Sequence, residues 1–176
     1  IYVQLGAGRI NDIQSTVRIV IDELLSNPDV HVVLGESLLG ERTMLGKERL
    51  HIIRDYPNAL FLKAFDASVQ AGGYNSFHEM RSIRMPTLFI PNTKTGMDDQ
   101  HKRVMLSVEE GWGIVVKETK ADIIRGLREL ILKEPSDYET LPNGATSTAN
   151  HILNGRENQI QDSKENENNH FEERGG

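Results

Sequence analysis

Apolar runs and amphipathic stretches alternate along residues 1 to 154, and the period of each decides what it predicts. IYVQL at the start reads as a strand. INDIQSTVRIVIDELLS then carries Ile13, Val17, Val20, Ile21 and Leu24 at helical spacing. VHVVLG is a second strand and RLHIIRDY a third, after a loop holding Gly40 and Gly46. Pro57 ends that strand, and NALFLKAF reads as a short helix or turn. ASVQA is the fourth strand, NSFHEMRSIR a helix, and PTLFIP the fifth strand, with Pro86 and Pro91 at ends where a missing N–H is tolerated. QHKRVMLSVEE is helical and GIVV is a sixth strand. Thr119 is placed to cap ADIIRGLRELILK, whose Ile123, Ile124, Leu127, Leu130 and Ile131 share one face. A last helix is expected from near Asn143, with Ala145, Ala149, Ile152 and Leu153.

Strands without polar alternation are covered on both faces, and helices between them make right-handed crossovers. The pattern therefore predicts an α/β fold: a doubly wound, Rossmann-like, mostly parallel sheet of about six strands with helices on both faces. Ligands of such sheets bind beyond the carboxyl ends of the strands, so the loops after each strand are where chemistry is sought. From about residue 156 the chain changes to RENQIQDSKENENNHFEERGG, with too few apolar groups to offset chain entropy. Residues 1–154 are thus expected to be one domain and 155–176 a polar, disordered tail.

Composition narrows the function. The 176 residues carry a formal charge of −6, which argues against duplex nucleic acid, since phosphate neutralisation needs a basic face. With no cysteine, disulfides, thiolate zinc sites and Cys nucleophiles are excluded, and the six His fall in no metal-ligand spacing. A reducing cytoplasm suits the absence of Cys. No apolar run approaches the roughly 18 to 20 residues that cross a bilayer. The chain opens on IYVQLG with neither an initiator Met nor a charged segment before an apolar one, which reads as a fragment cut at a domain boundary.

Three loops carry candidate chemistry. After the first strand, LGAGRIND offers Gly6 and Gly8 for close approach of an anion, with Asn11 or Asp12 to cap the next helix. It begins like a dinucleotide fingerprint, but Asn11 stands where the third glycine belongs, and the acidic residue expected about 20 positions on is missing. After the fourth strand, AGGYNSFHEM supplies Gly72 and Gly73, then a helix from about Asn75 and Ser76 whose N–H groups suit phosphate. On pattern alone S-F-H-E is a capping box, Glu79 bonding back to the cap residue. After the fifth strand, PNTKTGMDDQHKR runs through Thr95 and Gly96 to Asp98, Asp99 and Gln100; a carboxylate beside an amide suits the vicinal hydroxyls of a sugar, or the Asp caps the helix. Lys94, Lys102 and Arg103 show no pattern that sets them apart from a solvated surface.

The order of these pieces resembles a family. Residues 1 to 154 are similar to the C-terminal, donor-binding half of GT-B glycosyltransferases, in the group that includes the bacterial cell-wall N-acetylglucosaminyltransferase of family 28. The likeness is strongest over residues 65–116: strand, glycine pair, helix with Glu, M-P-T-L-F-I-P strand, and D-Q before a helix. The resemblance implies that Gly6 and Gly8 lie near the diphosphate or the interdomain cleft, and that Gly72, Gly73, Asn75 and Ser76 cradle the diphosphate. It implies that Glu79 binds the ribose hydroxyls, reversing the capping-box reading. By the same resemblance Asp99 and Gln100 meet the transferred sugar, Thr95 and Gly96 lie near the phosphates, and backbone around residues 55–60 forms the uracil pocket. Tyr74-Asn75-Ser76-Phe77 departs from the small-residue motif of many relatives and leaves the sugar open.

The implied function is a donor-binding domain for a uridine diphosphate sugar, transferring a hexosyl or N-acetylhexosaminyl group. No metal or other cofactor is expected, because glycine-loop N–H groups and a helix dipole stabilise the leaving diphosphate. The base and the acceptor pocket are expected on a missing N-terminal domain or partner subunit, so the isolated domain is expected to be inactive. The whole enzyme is expected in the cytoplasm, with peripheral association at the inner face of a membrane open to it. The alternatives are a GT-B-fold epimerase or nucleotide-sugar hydrolase, a non-catalytic donor-binding subunit, and, least favoured, a nicotinamide-dependent oxidoreductase.

Overall fold

Each short apolar segment becomes a parallel strand in the computed structural model, which describes residues 1–6, 13–36, 46–54, 57–92, 99–134 and 144–154. The strands are β1 (Tyr2–Gln4), β2 (Val32–Gly35), β3 (Leu50–Ile53), β4 (Ser68–Gln70), β5 (Thr87–Phe89) and β6 (Gly113–Val115). Between them run α1 (Gln14–Leu25), α2 (Tyr74–Ser82) and α3 (Gln100–Glu109), and α4 (Lys120–Leu132) follows β6. NALFLKA forms a 3-10 helix, Asn58–Ala64. The sheet order is β3-β2-β1-β4-β5-β6, with every neighbouring pair parallel. This is the six-stranded, doubly wound α/β sheet that the pattern predicts.

Two cores follow from the alternation of side chains along each strand. Val3, Val69, Leu88 and Ile114 join Val20, Ile21 and Leu24 of α1 and Ile123, Leu127 and Leu130 of α4. Tyr2 and Phe89, one position out of phase, join Phe77 and Met80 of α2, Val104 of α3, and Trp112. Each fully buried leucine, such as Leu88 or Leu127, contributes about 1.5–3 kcal/mol.

The helix ends are closed by different means. Thr119 caps α4 as its sequence predicts, its hydroxyl accepting from the Asp122 N–H at 3.2 Å. Arg49 closes the far end of α1, donating to the carbonyls of Leu25, Asn27, Pro28 and Val30. The N-cap of α1 is Ile13, which has no side-chain acceptor, so neither Asn11 nor Asp12 holds the cap position expected of it. Both lie outside the described residues, as does Gly8.

Residues Ile1–Thr140 form one compact unit and Leu141–Gly176 a second. The described part of the second is a helix over residues 144–154, in which the Thr148 hydroxyl donates to the Gly144 carbonyl at 2.9 Å. No described helix is long and apolar enough to cross a membrane.

Candidate functional site

Strand order reverses between β1 and β4, and a crevice beyond their carboxyl ends is where such sheets take ligands. The chain leaving β1 turns at Gly6, with φ +101°, and the chain leaving β4 turns at Gly72, with φ +87°. Both values lie in the left-handed region that side chains rarely adopt. The glycines serve different ends, however. A Cβ on Gly6 would meet nothing within 4 Å, and neither would one on Gly73. A Cβ on Gly72 would come within 2.5 Å of the Val104 methyl on α3. Gly72 is therefore demanded by packing as well as by its φ, whereas Gly6 and Gly73 leave open space beside the crevice.

Gly73 is the N-cap of α2, with no side-chain cap and no acidic residue in the first turn. The first bond of the helix runs from the Phe77 N–H to the Gly73 carbonyl, at 2.9 Å. The N–H groups of Tyr74, Asn75 and Ser76 precede that ladder and form the positive end of the helix dipole. The capping box is overturned: Ser76 sits inside the helix rather than at its cap, so Glu79 has no cap N–H to return to.

Glu79 is instead a half-buried carboxylate with no hydrogen bond or ion pair among the described residues. Burial pushes its carboxyl above the usual range. It lies three and four residues after Ser76 and Asn75, so the three share a face of α2. Its charge is felt at the Tyr2 phenol, whose pKa is raised by burial first and also by Glu79, against a lowering contribution from its hydrogen bond with Asn58.

Tyr2 anchors a polar cluster that the sequence reading passes over. Its hydroxyl donates to Gln4 Oε1 at 3.0 Å and accepts from Asn58 Nδ2 at 3.1 Å. Gln4 is in register with Gln70 on β4, whose Nε2 donates to the Ser68 hydroxyl at 2.9 Å. Asn58 Oδ1 and Gln70 Oε1 are buried without a partner. Such orphan acceptors cost about 1–3 kcal/mol each and call for a donor, from water or ligand. The signal was present in IYVQL and ASVQA, where polar residues at i and i+2 interrupt apolar strands at their carboxyl ends.

On the other side of the glycine pair, α3 begins at the N-cap Asp99, which accepts from the Lys102 N–H at 2.9 Å. Gln100 Oε1 accepts from the Asn92 N–H at 3.0 Å, tying the exit of β5 to α3. One oxygen of each is thus engaged by the backbone. Thr95, Gly96 and Asp98 lie outside the described residues, as does Asp55 of the expected uracil pocket. Tyr74 is 63% exposed, its ring 4.4 Å from that of His78, and the Arg103 guanidinium lies 5.4 Å above it. Burial, then the charges of Arg81 and Arg103, holds the His78 pKa below its ordinary value. Among the described residues no group of three or more His, Asp or Glu is placed to hold a metal ion.

The sheet with its covering helices is similar in fold to one half of solved GT-B glycosyltransferases. The glycotransferase of kitacinnamycin matches with a TM-score of 0.61 at 20% identity, over 75% of this chain and 34% of its own. The spinosyn rhamnosyltransferase SpnG, complexed with thymidine diphosphate, gives 0.60 at 17%, over 75% and 36%. The calicheamicin glycosyltransferase CalG4 gives 0.59 at 20%, over 75% and 33%. The chain spans about a third of the length of these structures, and at such identities the likeness is one of fold. No protein-family model and no curated protein sequence matches the chain.

Proposed function

We propose that this chain is the donor-binding half of a nucleotide-sugar-dependent glycosyltransferase, with a uridine diphosphate sugar as the donor. The observation that carries this reading is Glu79, a half-buried carboxylate with no partner among the described residues, one turn inside a helix with no side-chain N-cap at the strand-order reversal. A fold that leaves a carboxylate desolvated and unpaired has reserved it for an outside donor. Vicinal ribose hydroxyls are such donors, and the adjacent N–H groups of Tyr74, Asn75 and Ser76 suit the diphosphate. Asp99 and Gln100 retain one oxygen and one amide group for the hydroxyls of a hexosyl or N-acetylhexosaminyl group. SpnG, whose fold this chain resembles, is complexed with thymidine diphosphate, which supports a nucleoside diphosphate as the class of ligand; the closer kinship to family 28 rests on the motif order.

In transfer, the bond from the sugar C1 to the diphosphate breaks as an acceptor oxygen bonds to C1, and the acceptor proton passes to a base outside this chain. The leaving diphosphate is held by helix N–H groups, so no metal is required in this reading. Closure of an acceptor domain or subunit over the crevice excludes the water that would hydrolyse the donor.

Calorimetric titration of the chain with uridine diphosphate, in the absence of metal, tests this reading. Binding on the order of micromolar to millimolar is expected, weakened by about 1–3 kcal/mol in Glu79→Ala without loss of fold. Undiminished binding by that variant refutes the ribose contact, and displacement by a nicotinamide dinucleotide refutes the nucleotide-sugar reading in favour of an oxidoreductase. Thymidine diphosphate as a second titrant reads the base preference.

A further inference from the structure

Beyond the carboxyl ends of β5 and β6, between the start of α3 and the first turns of α4, lies a cleft of about 700 Å³ that the donor-binding reading does not use. Its volume falls within the range of small-molecule sites. Met105, Val115 and Val116 give it an apolar lining, and Met105 is one of the large apolar side chains that the fold leaves exposed. Charged groups of both signs stand around that lining, but they are not equally engaged. Glu118 Oε1 accepts from the Thr16 hydroxyl at 3.1 Å. Asp122 accepts from the Thr119 hydroxyl at 2.8 Å and from Arg125 Nη2 at 2.7 Å. The side chains of Lys117 and His101, which also line the cleft, have no partner among the described residues.

We propose that this cleft is a second ligand site, for a small molecule with an apolar body and one anionic head, a carboxylate or a phosphate. The inference stands apart from the donor-binding reading. The body lies on Met105, Val115 and Val116, where apolar surface leaves water. The head meets the Lys117 ammonium and an N–H of the His101 ring, donors that nothing in the described fold uses. The sign of the ligand follows from the engaged acids: a cation entering the cleft would meet Lys117 with both carboxylates already bonded. An ordinary solvated lysine accounts for the exposed ammonium but not for an apolar lining of this size beside it.

Octanoate, octyl phosphate, octanol and acetate are titrated against the full chain by NMR. Octanoate and octyl phosphate are expected to shift the amides of Val115, Val116 and Lys117 and the methyl of Met105, and the tighter of the two tells a carboxylate head from a phosphate. Octanol, which lacks the charge, and acetate, which lacks the body, are expected to bind about tenfold more weakly or worse. Lys117→Gln removes an exposed side chain with no partner, so it leaves the fold intact; it is expected to weaken the anionic probes about threefold to tenfold. Lys63→Gln on the 3-10 helix makes the same change of net charge and is expected to behave as wild type. Octanol or acetate binding as tightly as octanoate, an equal loss in the two variants, or no shift at these residues with any probe overturns the inference. Uridine diphosphate that displaces octanoate from them overturns it as a second site. None of these outcomes touches the donor-binding reading, which is decided at Glu79.

Discussion

Two carboxylates, Glu79 on helix α2 and Glu110 beside it, meet opposite fates. Toward α3 and β6, Glu110 accepts from Arg81 Nε at 3.1 Å to each oxygen, from Arg81 Nη2 at 2.5 Å, and from Trp112 Nε1 at 2.7 Å. The hydrogen bonds from Arg81 lead the causes that draw its pKa below the ordinary range, over the opposing effect of burial. Toward β1 and the 3-10 helix, Glu79 accepts nothing among the described residues, and burial raises its pKa. Arg81 and Glu79 are two positions apart, so they project from nearly opposite sides of one helix. One side of α2 is closed by its own polar groups. The other keeps a carboxylate with no partner among the described residues, whose charge reaches Tyr2 in the polar cluster that holds two orphan amide oxygens, Asn58 Oδ1 and Gln70 Oε1. Polar groups that satisfy one another hold a fold together; polar groups left wanting at a strand-order reversal are what a ligand completes.

The largest effect expected lies at the glycine turn before α2, against which α3 packs. Gly72→Ala places a Cβ within 2.5 Å of Val104 at φ +87°, and is expected to cost about 2–4 kcal/mol, read as a denaturant midpoint. The double variant with Val104→Ala removes the collision and leaves the φ strain. If Gly72 served only to admit a ligand, the single variant would bind poorly but melt normally, and the packing account of this glycine would fall.

The closed side comes next. Glu110→Ala strips Arg81 of its carboxylate and leaves the Trp112 N–H without its acceptor, an expected loss of about 1–3 kcal/mol at neutral pH. Because the folded pKa of Glu110 is depressed, its contribution is present above the unfolded carboxylate value and is lost as pH falls through the folded one. Thermal melts should show the deficit of the variant shrinking at low pH. Nucleotide affinity should be unaltered.

The sheet was legible because its strands are short apolar runs between breakers, and a buried parallel strand announces itself that way. The candidate site was half legible. The glycine pair and Glu79 follow one another in sequence, so a local motif is enough to mark them as candidates. The capping-box reading failed because Gly73 ends its turn ready to start the helix, three residues before the Ser76 cap that the pattern expects. Arg103 carries no local mark at all: its place beside Gly72 comes from the packing of α3, a contact between residues 31 positions apart. Asn58 is likewise brought to Tyr2 from 56 positions away. Residues of this kind become visible only when tertiary packing joins segments that have no common period.

The smallest effect is the sharpest test of the contrast, because its sign is opposite. A raised folded pKa means that the native state holds the proton of Glu79 more tightly than the unfolded chain does. The ionised carboxylate therefore costs stability above the folded pKa, and the cost vanishes below the unfolded value. Glu79→Gln keeps the shape and removes the charge, so it should raise the melting temperature at neutral pH, by about 1 °C once solvent screening is allowed for. The gain should disappear near pH 3, where the wild-type group is protonated. A capping-box glutamate would give the reverse, a loss at neutral pH. The same variant should bind uridine diphosphate more weakly, and a residue whose removal stabilises the fold while weakening the ligand is one held in place for binding.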